Sequence, residues 1–239
     1  PDPKFAGRSY VTHHPPSVKH HEAQRYLALA DPDYEDRLPG EDLFRLEPSP
    51  TKNPFKPSRK YITLQPGSGS NAAPWKNLPA PVWAEVTRRL LDEDPEVRVI
   101  VLGEDSESGL WGDFSAHPRV EPAFDKFALA ELPQLIAGAE LHLGGDSFLM
   151  HLAGCVGTPS FTVWGGSDPD FYGWNRIAPH RHGMLYARPS CGPCSRWLEP
   201  NRTRVSDPAL CPDFRCLTGF SADEIFEAIV AFRNRLPRD

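Results

Sequence analysis

One segment of eight residues, 144–151, constrains the fold of this chain more than any other. Its sequence is Gly-Gly-Asp-Ser-Phe-Leu-Met-His, it follows a strand-length apolar run at 139–143, and it leads into a short helical segment that ends at Gly157. A strand, a glycine turn, a polar cap and a helix together form an anion site in α/β proteins, because the first helical N–H groups have no partner within the helix. The alternative is that Asp146 and Ser147 only cap the helix.

The composition excludes several classes of protein. The 239 residues suffice for one large α/β domain or two small ones, and the contents of 39% hydrophobic and 24% charged residues are ordinary for a globular protein. A net charge of −6 without any basic run argues against a general nucleic-acid binder. No apolar segment has the length of a membrane span and no signal peptide is present, so we expect a cytoplasmic protein.

The first 58 residues show little periodic pattern, and we interpret residues 1–58 as an N-terminal extension or linker rather than a complete domain. Within this region, residues 20–30 are predicted to form one helix. Four histidines lie in or near that segment: His13, His14, His20 and His21. They suggest a metal site, but no carboxylate or cysteine joins them at ligand spacing, which favours solvated surface histidines.

From residue 60 onward, strand patterns and helix patterns alternate. Strands are predicted at 61–65, 97–102, 139–143 and 159–164, with a shorter one at Val120. Helices are predicted at 81–91, at 129–137, and after the turn at 144–147. Near-continuous apolar strands joined by helices predict an α/β fold with an open, parallel, Rossmann-like sheet and helices on both faces.

Ligands of such sheets bind beyond the carboxyl ends of the strands. Four loops of the predicted fold lie on that edge: residues 66–71, 103–107, 144–147 and 165–168. Four loops that fall on the same edge indicate a binding site more strongly than any single loop does.

The last helix has a clear start signal. Ser221 and Glu224 form a capping box, and Ile225, Ile229 and Phe232 follow on one apolar face. The pattern predicts a helix that packs on the sheet and closes it.

Two close cysteine pairs precede this helix. They are Cys191 with Cys194, separated by two residues, and Cys211 with Cys216, separated by four. In a cytosolic chain this spacing predicts a tetrathiolate site for zinc or iron, and the alternatives are two disulfides or reduced thiols. The metal would be structural, because the surrounding Pro-rich loop has little core of its own. Cys155 is interpreted as a small core residue.

These patterns divide the chain into three regions. After the extension, residues 59–182 and 217–239 are assigned to the Rossmann-like domain. Residues 183–216 are assigned to a small four-cysteine, metal-stapled loop region.

Several short motifs occur in a fixed order from residue 61 onward. They are Pro-Gly-Ser-Gly at 66–69, Lys-Asn-Leu-Pro at 76–79, Leu-Ile-Ala-Gly-Ala at 135–139, Asp-Ser at 146–147 with His-Leu-Ala at 151–153, Gly-Thr-Pro at 157–159 and Trp-Gly-Gly-Ser-Asp-Pro at 164–169. This ordered set resembles the heptosyltransferases of glycosyltransferase family 9, which have the two-domain GT-B fold. The cysteine cluster resembles the four-cysteine iron-binding finger of the branch that heptosylates bacterial autotransporter proteins.

The resemblance implies that this chain corresponds to one of the two GT-B domains, the one that binds the donor. It would bind a nucleotide sugar, usually ADP-heptose, for inverting transfer to a glycan or protein acceptor. The diphosphate would be held by side chains and amides of Ser68, Gly69, Lys76, Ser147 and Phe148. No catalytic divalent ion is expected, since helix amides and Lys76 would meet the charge of the leaving group.

Three further residues receive roles from the same resemblance. Asp146 would hold the turn or bind a donor hydroxyl, and His151 would donate a hydrogen bond to the diphosphate. Glu104 or Glu107 would accept hydrogen bonds from the ribose hydroxyls. The structural alternatives are a surface lysine at position 76 and a histidine at position 151 that packs against the sheet.

Two departures from the family pattern stand out. The family usually has Gly where this chain has Phe148, which places a bulky ring at the mouth of the pocket. The family's N-terminal domain binds the acceptor and supplies the catalytic carboxylate, and residues 1–58 contain no matching motif. We therefore assign no catalytic base.

Two other functions compete with sugar transfer. One is a non-catalytic nucleotide-sugar-binding module that needs a partner domain or chain. The other is a zinc-ribbon interaction protein for nucleic acid or protein, although the acidic balance and the lack of interleaved aromatic and basic residues count against it.

Overall fold

A computed structural model of the chain describes residues 21–30, 38–48, 53, 60–69, 74–111, 117–194 and 211–237. Several predicted features lie outside the described residues: His13, His14, His20, the end of the first loop at 70–71 and most of the cysteine loop at 195–210. Across the described ranges, every helix is too short or too polar to cross a lipid bilayer.

The described residues form one open sheet of six parallel strands in the order β3-β2-β1-β4-β5-β6. The strands are β1 (Tyr61–Gln65), β2 (Arg98–Gly103), β3 (Val120–Phe124), β4 (Leu141–Gly144), β5 (Ser160–Trp164) and β6 (His182–Tyr186). β1 pairs with β2 on one side and with β4 on the other. The chain thus reverses its direction across the sheet between β1 and β4, and such a switch point is where ligands of open α/β sheets bind.

Helices cover both faces of this sheet, which confirms the predicted fold class. They are α1 (Glu22–Ala30), α2 (Ala80–Glu93), α3 (Leu132–Ala137), α4 (Phe148–Val156), α5 (Pro169–Tyr172), α6 (Arg215–Thr218) and α7 (Ala222–Arg233). Side chains of α2 and α7 belong to one hydrophobic core, and those of α3 and α4 belong to another. α3 begins three residues later than the periodicity predicts, with Pro133 in its first turn.

The alternation of side chains along each strand separates the two cores. In β2, Val99 and Val101 pack in the core of α2 and α7, whereas Ile100 and Leu102 pack in the core of α3 and α4. Both sets are fully buried because successive strand residues point to opposite faces. A strand covered on both sides is therefore apolar throughout, as the sequence indicated.

The predicted ends of two helices are present. α4 ends at Gly157, whose φ of 77° lies in the left-handed region that glycine adopts without strain. α7 begins with a capping box in which Ser221 Oγ accepts from the N–H of Glu224 at 3.2 Å, and Glu224 Oε2 accepts from the N–H of Ser221 at 2.8 Å. Ile225 and Ile229 are buried on its apolar face, and so is Phe232.

The sequence analysis placed no strand after β5, yet β6 forms the edge of the sheet. Its residues are mostly half-buried and include Gly183, so they lack the apolar run that marked the other strands. The sequence analysis placed the boundary between the Rossmann-like domain and the cysteine loop region after residue 182, which is the first residue of this strand.

The expectation that His21 is a solvated surface residue was wrong. His21 is buried at the start of α1, where Nδ1 accepts from the N–H of Ala23 at 3.1 Å and Nε2 donates to the carbonyl of Gly173 at 3.2 Å. The side chain thus docks α1 against the loop that follows α5. Burial lowers the pKa of His21 to about 4, so the imidazole is neutral near pH 7.

Candidate functional site

The switch point of the sheet brings two loops side by side. Gln65, the last residue of β1, pairs in register with Gly144, the last residue of β4. The chain leaves these strands as residues 66–69 and 145–147, and the second loop leads directly into α4. The N-terminus of α4 therefore lies at the carboxyl edge of the sheet, where the sequence predicted it.

Ser147 occupies the N-cap position of α4 but does not cap the helix with its side chain. Its hydroxyl instead hydrogen-bonds to the side-chain oxygen of Gln65. The first N–H groups of α4 consequently have no side-chain cap from Ser147, which leaves them oriented toward the edge of the sheet. This arrangement supports the anion-site interpretation over simple capping by Ser147.

Lys76 and Asp146 form an ion pair beside this helix terminus, with 2.8 Å between Nζ and Oδ2. The Lys76 side chain is 24% exposed and the Asp146 side chain is 7% exposed. Lys76 and Ser147 thus lie at the same edge of the sheet, as a shared pocket requires. Because Asp146 holds Lys76, its carboxylate is not a cap for α4 in this arrangement.

Two glycines allow the Lys76 segment to reach this position. A Cβ at Gly145 would lie 2.7 Å from the carbonyl oxygen of Lys76, and a Cβ at Gly165 would lie 2.0 Å from that of Trp75. The N–H of Gly166 donates to the same Trp75 carbonyl at 3.0 Å. The glycine pairs that end β4 and β5 therefore make room for the backbone that carries Lys76.

A cavity of about 360 Å³ lies next to the N-terminus of α4. Among its lining residues are five that the sequence analysis named: Ser68, Gly69, Glu104, Glu107 and Phe148. Ser68 Oγ is buried and makes no hydrogen bond within the described part of the chain. An unpartnered buried hydroxyl at the wall of a cavity is typical of a group that meets a ligand or water.

Sequence reasoning missed two polar residues of this cavity, Gln65 and Asp125. Asp125 has a positive φ of 49°, and its Oδ2 accepts from the N–H of Asp105 at 2.8 Å. A polar residue directly after an apolar strand would have indicated Gln65, but no local pattern identifies Asp125.

The sequence analysis named Glu104 or Glu107 as the acceptor for the ribose hydroxyls. The Glu107 carboxylate instead accepts hydrogen bonds from the backbone. It accepts from the N–H of Gly69 at 2.9 Å and from the N–H of Glu104 at 2.8 Å. Both residues line the cavity, where Glu107 is buried and Glu104 is half-buried. Glu104 is thus the more accessible carboxylate of the pair, and the N–H of Gly69 is already donated to Glu107.

We expect Glu107→Ala to destabilise the fold and loosen the cavity. The change leaves two half-buried backbone N–H groups without their acceptor, and the loss of the two hydrogen bonds costs about 0.5–1.5 kcal/mol for each. Urea unfolding measures the loss, and Glu121→Ala, which removes a half-buried carboxylate with long surface ion pairs, is the matched control. Equal stability of the two variants would contradict the structural role of Glu107.

His151 lies one turn into α4 and contributes to a second cavity of about 560 Å³, together with His21, Cys155 and Trp174. Burial lowers the pKa of His151, the Lys76 charge lowers it further, and Asp146 opposes the shift. The imidazole is therefore neutral near pH 7 and carries one N–H donor. Residues of α4 thus line both cavities, Phe148 and Leu149 the first, His151 and Cys155 the second.

The four cysteines of the predicted metal site are all free thiols. The N–H of Cys194 donates to the carbonyl of Gly166 at 2.7 Å, which ties the first pair to the loop after β5. Burial, reinforced by the other cysteines, raises the pKa of Cys194 and raises that of Cys216 to about 11. Within the described ranges, no three histidine, cysteine or acidic side chains come together closely enough to hold a metal ion.

A parallel sheet of this strand order, with an uncapped helix N-terminus and a cavity at its switch point, defines a Rossmann-like α/β domain of the nucleotide-binding type. The family model of glycosyltransferase family 9 (heptosyltransferase) matches residues 7–202. The chain therefore belongs to glycosyltransferase family 9.

Known relatives agree with this assignment. Lipopolysaccharide heptosyltransferase 1 of Pseudomonas aeruginosa is 27% identical over 120 residues, which cover 50% of this chain and 32% of that protein. The chain thus spans about a third of the length of this curated relative.

Two solved structures share the fold. The ADP-heptose lipopolysaccharide heptosyltransferase II of Escherichia coli matches with a TM-score of 0.64 and 18% identity, over 90% of this chain and 62% of that chain. The iron-containing, dodecameric heptosyltransferase TibC of enterotoxigenic E. coli, solved in complex with ADP-D-β-D-heptose, matches with a TM-score of 0.57 and 20% identity, over 81% of this chain and 49% of that chain.

Proposed function

We propose that this chain is the donor-binding part of a glycosyltransferase that uses an ADP-sugar of the ADP-heptose type. The observation that carries the proposal is the Lys76–Asp146 ion pair at the uncapped N-terminus of α4, beside a cavity at the switch point of the sheet. A cation and free helix amides at one place favour a phosphate group.

The two cavities give the proposed donor an orientation. The nucleoside enters the 360 Å³ cavity, where Glu104 accepts from the ribose hydroxyls and Ser68 Oγ meets the first phosphate. The diphosphate lies over the first amides of α4, and Lys76 moves from Asp146 to a phosphate oxygen. The sugar then points to the side of His151, where Asp146 is free to accept from a donor hydroxyl.

The proposed chemistry is an inverting transfer to a glycan or protein acceptor. As the sugar carbon is attacked, negative charge develops on the departing diphosphate, and the amides of α4, Lys76 and the N–H of neutral His151 stabilise it. This arrangement requires no catalytic divalent ion. We assign no base to this chain, and a partner domain or chain is proposed to supply the acceptor site.

We also propose that Cys191, Cys194, Cys211 and Cys216 hold one structural iron or zinc ion. Four thiolates are the donor set that such metals prefer, and neighbouring cysteines add to burial in raising the pKa of Cys194 and Cys216, a shift that a bound cation would reverse. Coordination would require the two cysteine pairs to move closer together than they lie among the described residues. The ion would join the loop after β5 to the start of α6.

We expect elemental analysis of the purified protein to find one iron or zinc per chain. Cys194→Ser should lose the metal, because it removes one of four thiolates, and Cys155→Ser should retain it. Metal-free protein with two disulfides by mass spectrometry would overturn the assignment.

A panel of ligands tests the proposed function. We expect ADP and ADP-heptose to raise the melting temperature, with a gain of about 2.7 kcal/mol in unfolding free energy at a hundred times Kd. Release of ADP only when an acceptor is added separates a transferase from a binding module. Absence of any response to nucleoside diphosphates would refute the proposal, and tight nucleic-acid binding with a steep salt dependence would favour the interaction protein instead.

A further inference from the structure

We infer that the ring of Phe148 stacks on the nucleobase of the donor, an inference that rests on the proposed function. Phe148 is the first residue of α4, and its side chain is 54% exposed although the ring is large and apolar. It lines the 360 Å³ cavity. A ring in this position contacts whatever apolar group enters the cavity.

A second exposed apolar residue flanks the same cavity. Leu129, from the loop between β3 and α3, is 69% exposed and also lines it. Phe127 and Leu132 continue the apolar wall inward from Leu129. Two of the few large apolar side chains that are exposed in the described residues thus lie around one opening, and an exposed apolar patch of this kind marks a binding surface.

The polar residues of the cavity complete the match to a nucleoside. The acidic residues Glu104 and Asp125 line it, and Phe148 and Leu129 are apolar residues of the same lining. A nucleoside has the same division between a flat heterocycle and a hydroxyl-bearing ribose. A base that stacks on an aromatic ring gains about 1–3 kcal/mol as measured by alanine substitution, which corresponds to a change in affinity of about 5- to 150-fold.

Phe148 has two separable contributions at this site. Its backbone N–H belongs to the free N-terminus of α4, and its ring belongs to the cavity. Replacement by alanine removes the ring and keeps the N–H, and alanine is a good helix former. The variant therefore tests the contact with the base without removing the anion site.

The experiment measures binding of ADP and of inorganic pyrophosphate by calorimetry. For Phe148→Ala we expect ADP affinity to fall by about 5- to 150-fold and pyrophosphate affinity to stay within about two-fold. Phe148→Tyr, which keeps the ring, should retain ADP binding. Leu43→Ala removes an equally exposed apolar side chain outside the cavity and should change neither ligand.

Three other results are possible, and each would contradict a specific claim. Unchanged ADP affinity in Phe148→Ala, with normal binding by the wild-type protein, overturns the role of Phe148 and leaves the proposed function intact. An equal loss of ADP and pyrophosphate places the effect at the anion site and also overturns that role. If the wild-type protein binds no nucleoside diphosphate, the proposed function fails and the inference fails with it.

Discussion

Replacing Lys76 with alanine is expected to weaken ADP binding by about 10- to 150-fold while the fold is retained. A hydrogen bond to a charged group contributes about 1.5–3 kcal/mol, and Lys76 is the cation beside the free amides of α4. The variant also leaves the nearly buried carboxylate of Asp146 without its partner, next to the place where the diphosphate would lie. Calorimetry with ADP measures the change.

The matched control is Lys60→Ala. Lys60 precedes β1 at the opposite edge of the sheet and pairs with Glu140 at 3.2 Å, with a largely exposed side chain. Its removal should leave ADP binding unchanged, because surface ion pairs contribute little and the site is distant. Equal affinities of wild-type protein and Lys76→Ala would refute the phosphate role of Lys76.

A double variant separates the two effects at Lys76. In Lys76→Ala with Asp146→Asn no unpaired carboxylate remains, so ADP should bind more tightly than to Lys76→Ala alone. The difference between the double variant and the sum of the single variants reports the coupling of the pair. Additive effects would show that the 2.8 Å ion pair has no bearing on ligand binding.

Local patterns in the sequence predicted the sheet and the edge at which the site lies. The continuous apolar runs of β1 and β2, the capping box at Ser221 and the glycine after α4 are each signals carried by residues a few positions apart. Parallel geometry then places all strand ends on one edge. The position of α4 follows from these local signals and that single geometric rule, whereas Lys76 was assigned to the site only by the resemblance to the family.

The partners of the polar side chains were not predictable in the same way. Ser147 bonds to Gln65, and Glu107 bonds to Gly69, across 82 and 38 residues of chain respectively. Such contacts depend on how loops fold over the sheet edge, and no periodicity encodes them. The same reason explains why His21 was expected in solvent, since its partner Gly173 lies 152 residues away.

The unfolding free energy is expected to fall by about 4 kcal/mol between pH 7.5 and pH 5.5. Three buried histidines cause this loss, because burial lowers the pKa to about 4 for His21 and to about 3 for His142 and His182. Each regains the ordinary value near 6.5 in the unfolded chain. The unfolded state then binds more protons, so the stability present above pH 6.5 is lost as the pH falls.

Two of these histidines lie inside the sheet, His142 on β4 and His182 on β6, with β5 between them. His142 Nδ1 hydrogen-bonds to Thr63 at 3.1 Å, and His182 Nδ1 hydrogen-bonds to Ser160 at 2.8 Å. Their Nε2 atoms are buried and have no hydrogen-bond partner within the described residues. A proton added to either ring would create a buried charge with no carboxylate bonded to it, which is why the folded state resists protonation.

Urea unfolding at pH 7.5 and pH 5.5 measures the loss, with the metal content determined at both values so that metal release is recognised. His182→Gln keeps a side chain that can bond to Ser160 but does not titrate, so its loss over this range should be about a third smaller, near 1.4 kcal/mol less. The substitution to Gln itself lowers stability at both pH values. Only the change in unfolding free energy between the two pH values therefore reports the titration of His182. A wild-type protein equally stable at both values, or a variant with the same loss, would show that buried neutral histidines do not set the acid limit of this fold.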